Sequence, residues 1–190
     1  ARVYAAPSCR PVPGHPNAAR GNPRVGGLAG GVAQVEGAGL QAQAVASGAA
    51  ESSTAMLTLL NAGDHIIGPE AVYGGTYALL KKLLPRFGVE VSLVDFDDLD
   101  AVRAAMRSRT KLVWAEALCN PTMAVADLPA LAEITHARGA LLAVDSTFAS
   151  PVVCKPIAPR ADVVMHSATK NIGGHSDVPG SVPVSAPGAH

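Results

Sequence analysis

The chain has 190 residues, 48% of them hydrophobic and 16% charged, which supports one packed domain and excludes an intrinsically disordered polymer. Fifteen basic residues balance fifteen acidic ones, so no electrostatic reason exists to expect nucleic acid or an acidic membrane as partner, and 4% aromatics are too few for a base-stacking surface. No apolar run approaches the roughly 18–20 residues of a membrane span, no secretory signal is visible, and Cys9, Cys119 and Cys154 fit no zinc spacing; a reduced cytoplasmic protein is expected.

In chain order, residues 1–34 read as an irregular arm: Pro7, Pro11, Pro13, Pro16 and Pro23 interrupt regular structure, and Gly26, Gly27, Gly30 and Gly31 follow. Helix is expected there only near residues 32–36. The glycine pattern at Gly37-Ala38-Gly39 lacks a preceding strand and is read as chance rather than a dinucleotide fingerprint. Ala44-Val45-Ala46 is a short apolar run. Ser47 is then a plausible N-cap for a helix through about Leu60, and the Ser47-Gly48-Ala49 start would present free N–H groups to a phosphate. As an isolated feature it is equally an ordinary capped helix. Gly63-Asp64 turns the chain into His65-Ile66-Ile67-Gly68. Tyr73-Gly74-Gly75-Thr76 is a loop exposing an aromatic, ahead of a helix over 77–86. A strand over 89–94 precedes a helix over 99–106, with Asp95, Asp97 and Asp98 as a solvated cap rather than a metal site. A strand over 111–116 runs into the turn signal Cys119-Asn120-Pro121-Thr122. An amphipathic helix over 128–138 stops at Gly139, and a strand over 140–144 closes on Asp145. Residues 181–190, with Pro183, Pro187 and Gly188, read as a loose tail. Strands alternating with helices predict an α/β fold, a mostly parallel sheet flanked by helices.

The last apolar run, residues 161–165, ends in His166-Ser167-Ala168-Thr169-Lys170-Asn171. A lysine just past a buried strand lies where open α/β sheets bind ligands. Most lone lysines are merely surface residues, but Ser167 and Thr169 flank Lys170 closely enough to hold an anion beside it. Asp145 stands at the end of the preceding strand. A Schiff-base lysine with an aspartate for a pyridinium nitrogen is the minimum equipment of pyridoxal-phosphate (PLP) chemistry.

Over residues 35–180 the chain resembles the Cys/Met-metabolism PLP enzymes: cystathionine γ-synthase, cystathionine γ-lyase, methionine γ-lyase and the homoserine-ester sulfhydrylases. The motifs are Ala46-Ser47-Gly48, Tyr73-Gly74-Gly75-Thr76, Asn120-Pro121-Thr122, Val144-Asp145-Ser146-Thr147-Phe148, and Ser167-Ala168-Thr169-Lys170 with Gly174-His175-Ser176-Asp177. The resemblance implies the fold type I, PLP-dependent transferase-like large domain. It implies that Lys170 holds the cofactor as a Schiff base and shuttles protons. Asp145 would pair with the pyridine nitrogen, and Ser167 and Thr169 would cradle the phosphate with Ser47, Gly48 and Ala49. Tyr73 would stack on the ring and act as acid or base near the leaving group. Asn120 would lie by the phenolic oxygen and substrate carboxylate, and Thr147 close to the ring. Substrates would be a small sulfur amino acid or homoserine ester, and the complete protein a homo-oligomer, dimer or tetramer.

Departures from the family pattern accompany these matches. Asn17 and Ala19 stand before Gly21-Asn22-Pro23 where tyrosine and arginine are usual, with Arg20 one place late. A charged hydrogen bond to phosphate is worth roughly 1.5–3 kcal/mol. Ser146 replaces an asparagine, Ala117-Leu118 replaces Ser/Thr-Pro, and Asn171 replaces a common tyrosine. The family's C-terminal domain, with the arginine that grips the substrate carboxylate, is missing, so a fragment or truncated copy with weak or no turnover is expected. A catalytically silent remnant or interaction subunit is the alternative reading; an NAD-binding domain would need the glycine fingerprint that the first strand lacks.

Overall fold

The computed structural model describes residues 23–37, 41–175 and 177–186. Its centre is a seven-stranded sheet in the order β1-β7-β6-β5-β4-β2-β3. Five strands run parallel: β2 (His65–Pro69), β3 (Glu90–Val94), β4 (Thr110–Glu116), β5 (Leu141–Asp145) and β6 (Val163–His166). β7 (Val182–Ser185) adds antiparallel to β6, and β1 (Gln41–Ala42) antiparallel to β7.

The strands read as continuous apolar runs because both sheet faces are covered. Successive side chains alternate between those faces. Ile67, Val113, Ala115, Leu142, Val144 and Val164 pack on one side with Val102 of α4 (Leu99–Ala105) and with Leu128, Leu131 and Ala132 of α5 (Leu128–His136). Ile66, Leu112, Trp114, Ala143, Val163 and Met165 pack on the other with Met56 of α2 (Gly48–Leu59) and with Leu80 and Leu84. Leu80 and Leu84 follow α3 (Gly74–Ala78), which widens over Leu79–Leu83 and tightens over Leu84–Phe87, with Pro85 in the first turn of that last piece. Period two therefore puts Glu116 and Asp145, each two residues beyond Trp114 and Ala143, on the α2 side.

Local signals mark the boundaries. Ser47 accepts a hydrogen bond from Ala50 N (3.2 Å), Asp98 from Asp100 N and Ala101 N (3.0 Å each), and Asp127 from Ala130 N (3.1 Å). Asp98, the last residue of the acidic run at residues 95–98, is thus the cap of α4. Among the described residues no helix is long and apolar enough to cross a membrane.

Two expectations need correction. The arm expected to be irregular through residue 34 is helical from Pro23: α1 spans Pro23–Glu36. Proline tolerates the first turn, where its absent N–H is not needed. Ala29 and Val32 bury against Val182 and Val184, which offsets the glycine cost. The end of the chain, expected to be loose from residue 181, instead supplies β7, with Ser181, Val182 and Val184 fully buried. Pro183 is tolerated because its carbonyl accepts from Gln43 N (3.2 Å), so its missing N–H faces the short edge strand rather than β6. Asn17, Ala19 and Arg20 lie outside the described residues, as do Ala38, Gly39 and Ser176.

A Cβ added at Gly30 or Gly31 of α1 meets nothing within 4 Å. Gly30→Ala and Gly31→Ala should each raise stability by roughly 0.5–1 kcal/mol in urea unfolding. Neutral or destabilising results would contradict a helix there.

Candidate active site

The site forms at the carboxyl ends of β4, β5 and β6, facing the start of α2. Parallel register sets Glu116 opposite Asp145, and Asp145 opposite Met165. A cavity of about 470 Å³ opens above these ends, within the range of small-ligand sites. All ten residues singled out from the sequence line it: Ser47, Gly48 and Ala49 at the start of α2, Tyr73 before α3, Asn120 after β4, Asp145 at the end of β5 with Thr147 just beyond, and Ser167, Thr169 and Lys170 after β6.

The wall nearest α2 is suited to an anion. The first N–H groups of a helix lack intrahelical acceptors, and the helix dipole adds positive potential. This helix start lies beside the turn after β6: a Cβ at Gly48 would stand in ordinary contact with Ser167 Oγ, at 3.4 Å. Thr169 is less free than the sequence implies. Its Oγ1 donates to Gly180 O (3.1 Å) and accepts from Gly180 N (2.9 Å), so donating to an anion requires releasing the Gly180 carbonyl.

Asp145 is buried at 7% exposure and accepts from Thr147 N (2.9 Å). Burial pushes its carboxyl above the ordinary aspartate range, while Thr147 and the charge of His166 pull it down. A buried carboxylate with so few donors suits a cationic N–H partner. Behind it, His166 Nε2 meets Glu36 Oε1 at 2.5 Å, both side chains buried, which ties α1 to the end of β6. Lys170 is exposed at a break in the helical turn Ala168–Ile172 (φ −94°, ψ −117°) and reaches the same cavity as Asp145.

Tyr73 caps the opposite side, 53% exposed, with its ring over Gly75: a Cβ on Gly75 would sit 2.5 Å from Tyr73 Cε1. The departures at Ser146 and Asn171 are absorbed locally. Ser146 Oγ donates to Ala149 O (2.5 Å), and Asn171 Nδ2 donates to the carbonyls of Thr147 (3.3 Å) and Phe148 (3.4 Å). The Asn120–Pro121 peptide is cis.

Besides Glu36, two buried acids escaped the sequence reading. Glu116, 6% exposed, accepts from Tyr73 N (3.0 Å) and Asn120 N (2.9 Å); burial raises its carboxyl and those N–H groups oppose the rise. Glu51, 1% exposed in the first turn of α2, is pushed up to about 9, chiefly by burial. Ser181 Oγ contacts both Glu51 Oε2 and His166 O (2.9 Å) with one proton to give. A protonated Glu51 resolves that competition by donating to Ser181 Oγ. No sequence signal separates Glu51 from an acid that simply complements a helix dipole.

The profile of the Cys/Met metabolism PLP-dependent enzyme family matches residues 12–187, and the chain belongs to that family. It is 46% identical over 160 residues to cystathionine γ-synthase of Mycobacterium leprae, covering 84% of this chain and 41% of that protein. It is 46% identical over 158 residues to cystathionine β-lyase of Lactococcus lactis, covering 83% and 41%. Among solved structures, MetB of Corynebacterium glutamicum superposes with a TM-score of 0.84 at 41% identity, over 87% of this chain and 43% of that one. A putative O-acetylhomoserine (thiol)-lyase of Campylobacter jejuni, solved with N'-pyridoxyl-lysine-5'-monophosphate, gives 0.85 at 31% identity, over 89% and 41%. The chain therefore spans about two fifths of the length of these relatives.

Because Glu51 binds a proton in the folded chain from about pH 4.5 to about 9 that the unfolded chain releases, it lowers stability as pH rises through that window. Glu51→Gln keeps the neutral form and should flatten this slope, by about 1 kcal/mol per pH unit, in unfolding measured from acid to mildly basic pH. An unchanged slope would show that Glu51 is not held neutral.

Proposed function

We propose that this chain is the cofactor-binding part of a PLP-dependent transsulfuration-type enzyme, acting by γ-replacement or γ-elimination on homoserine esters, cystathionine or methionine. The observation that carries the reading is the meeting in one cavity of an amine, a buried carboxylate short of donors, and a helix start beside hydroxyls. The donor set fits the group: anion donors at one end, a carboxylate for a ring N–H, and a lysine within the same cavity. PLP, when bound, supplies an electron sink for charge developing at the substrate α-carbon.

The chain's own residues divide the remaining work. Lys170 Nζ would hold the cofactor and move the substrate Cα proton. Asp145 would keep the ring nitrogen protonated, and that cation would in turn draw the carboxyl back down from its raised range. Ser47, Gly48, Ala49 and Ser167 would bind the phosphate, with Thr169 joining if it turns from Gly180. Tyr73 would cover the ring and serve the leaving group, Asn120 would orient the substrate carboxylate, and Thr147 would border the ring. The names of the relatives support sulfur amino-acid chemistry, and the pyridoxyl-lysine in the Campylobacter title supports attachment through a lysine. We expect weak or no turnover from this chain alone, which spans about two fifths of those relatives. Assembly of the complete protein as a dimer or tetramer belongs to the same proposal.

PLP added to the purified chain should give a visible absorbance band that Lys170→Ala abolishes and Lys155→Ala, a change at another exposed lysine outside the cavity, leaves intact. Absence of a band in the unaltered chain would count against the cofactor reading and favour the silent-remnant alternative.

A further inference from the structure

Tyr73 and Asn120 sit on loops from two different strands, and the sheet does not set the distance between them. The β2–β4 ladder is registered only at residues 65–67 against 110–113, short of both loops. Glu116 spans the gap. Its Oε1 accepts from Tyr73 N (3.0 Å) and its Oε2 from Asn120 N (2.9 Å). A weaker tie runs alongside, from Cys119 Sγ to Ala71 O (3.2 Å). We propose that Glu116 is a positioning residue: a buried carboxylate that takes one backbone N–H from each loop and thereby fixes the cavity width between the Tyr73 ring and the Asn120 amide.

The chemistry singles out glutamate. An ionised carboxylate offers acceptors only, at both oxygens, so both N–H groups are served at once. A carboxamide offers one acceptor and turns its NH₂ toward the other N–H, which loses one loop. An aspartate is one methylene shorter and cannot reach two loops from the same strand end. The clamp stands on geometry alone; its use in orienting a cofactor rests on the PLP reading above.

Hydrogen exchange on the full 190-residue chain tests the clamp without any cofactor. In the unaltered chain, the Tyr73 and Asn120 amides should be protected although both residues lie outside helix and strand. Glu116→Gln should speed exchange at one or both by about ten- to a hundredfold, as expected for a lost charge-assisted hydrogen bond, while α5 stays protected. The second readout is visible circular dichroism per bound PLP. A change at equal occupancy reports a re-oriented ring, which mere loss of stability would not produce. Unprotected amides in the unaltered chain, or exchange unaffected by Glu116→Gln, would overturn the clamp; faster exchange with unchanged ellipticity per bound PLP would overturn its positioning role. If Glu116→Gln also unprotects α5, the exchange of the unaltered chain decides. If that chain binds no PLP, the cofactor reading fails while the exchange data still judge the clamp.

Discussion

The parallel register of β4, β5 and β6 is the constraint from which the site follows. It levels the ends of three strands, so Glu116, Asp145 and the turn after His166 emerge side by side. Alternation along each strand then points both acids toward α2 instead of α4 and α5. The core enforces that choice. A one-residue slip of β5 would carry Ala143 and Asp145 to the opposite face and bring Leu142 and Val144 out of their own cluster. Hydrophobic packing thus fixes which way the charged groups look.

Burying acids this way is costly unless each finds donors or keeps its proton. Glu116 and Asp145, which line the cavity, and Glu51 behind its α2 wall meet that demand differently. Glu116 spends both oxygens on backbone N–H groups, Asp145 takes what Thr147 offers and remains short, and Glu51 stays neutral against Ser181. The shortfall at Asp145 is the one that a cationic ligand nitrogen can make good.

Much of this arrangement was legible in the sequence. The strand ends, the Ser47 cap and the Asp145–Lys170 pairing of motifs rest on local patterns: apolar runs, turn residues and side chains with recognisable chemistry. All ten expected residues line one cavity: most stand at or next to a strand end or helix start that those patterns locate, while Tyr73 and Asn120 sit on loops that Glu116 joins. What escaped depends on contacts between distant segments. Glu116 acts through backbone N–H groups, which leave no trace in side-chain identity. The commitment of Thr169 to Gly180, and the pairing of Glu51 with Ser181, join positions far apart in the chain or across a loop. α1 and β7 escape a local reading for the same reason. Their glycines and proline argue against regular structure locally, and only their mutual burial over Ala29, Val32, Val182 and Val184 outweighs it.

The central claim is that the amine facing this cavity is the one that takes the cofactor. Borohydride treatment of the PLP-incubated chain, followed by peptide mass mapping, tests it most directly. The account predicts a pyridoxyl label confined to the peptide containing Lys170. Label spread over Lys81, Lys82, Lys111 and Lys155, or none at Lys170, would contradict it.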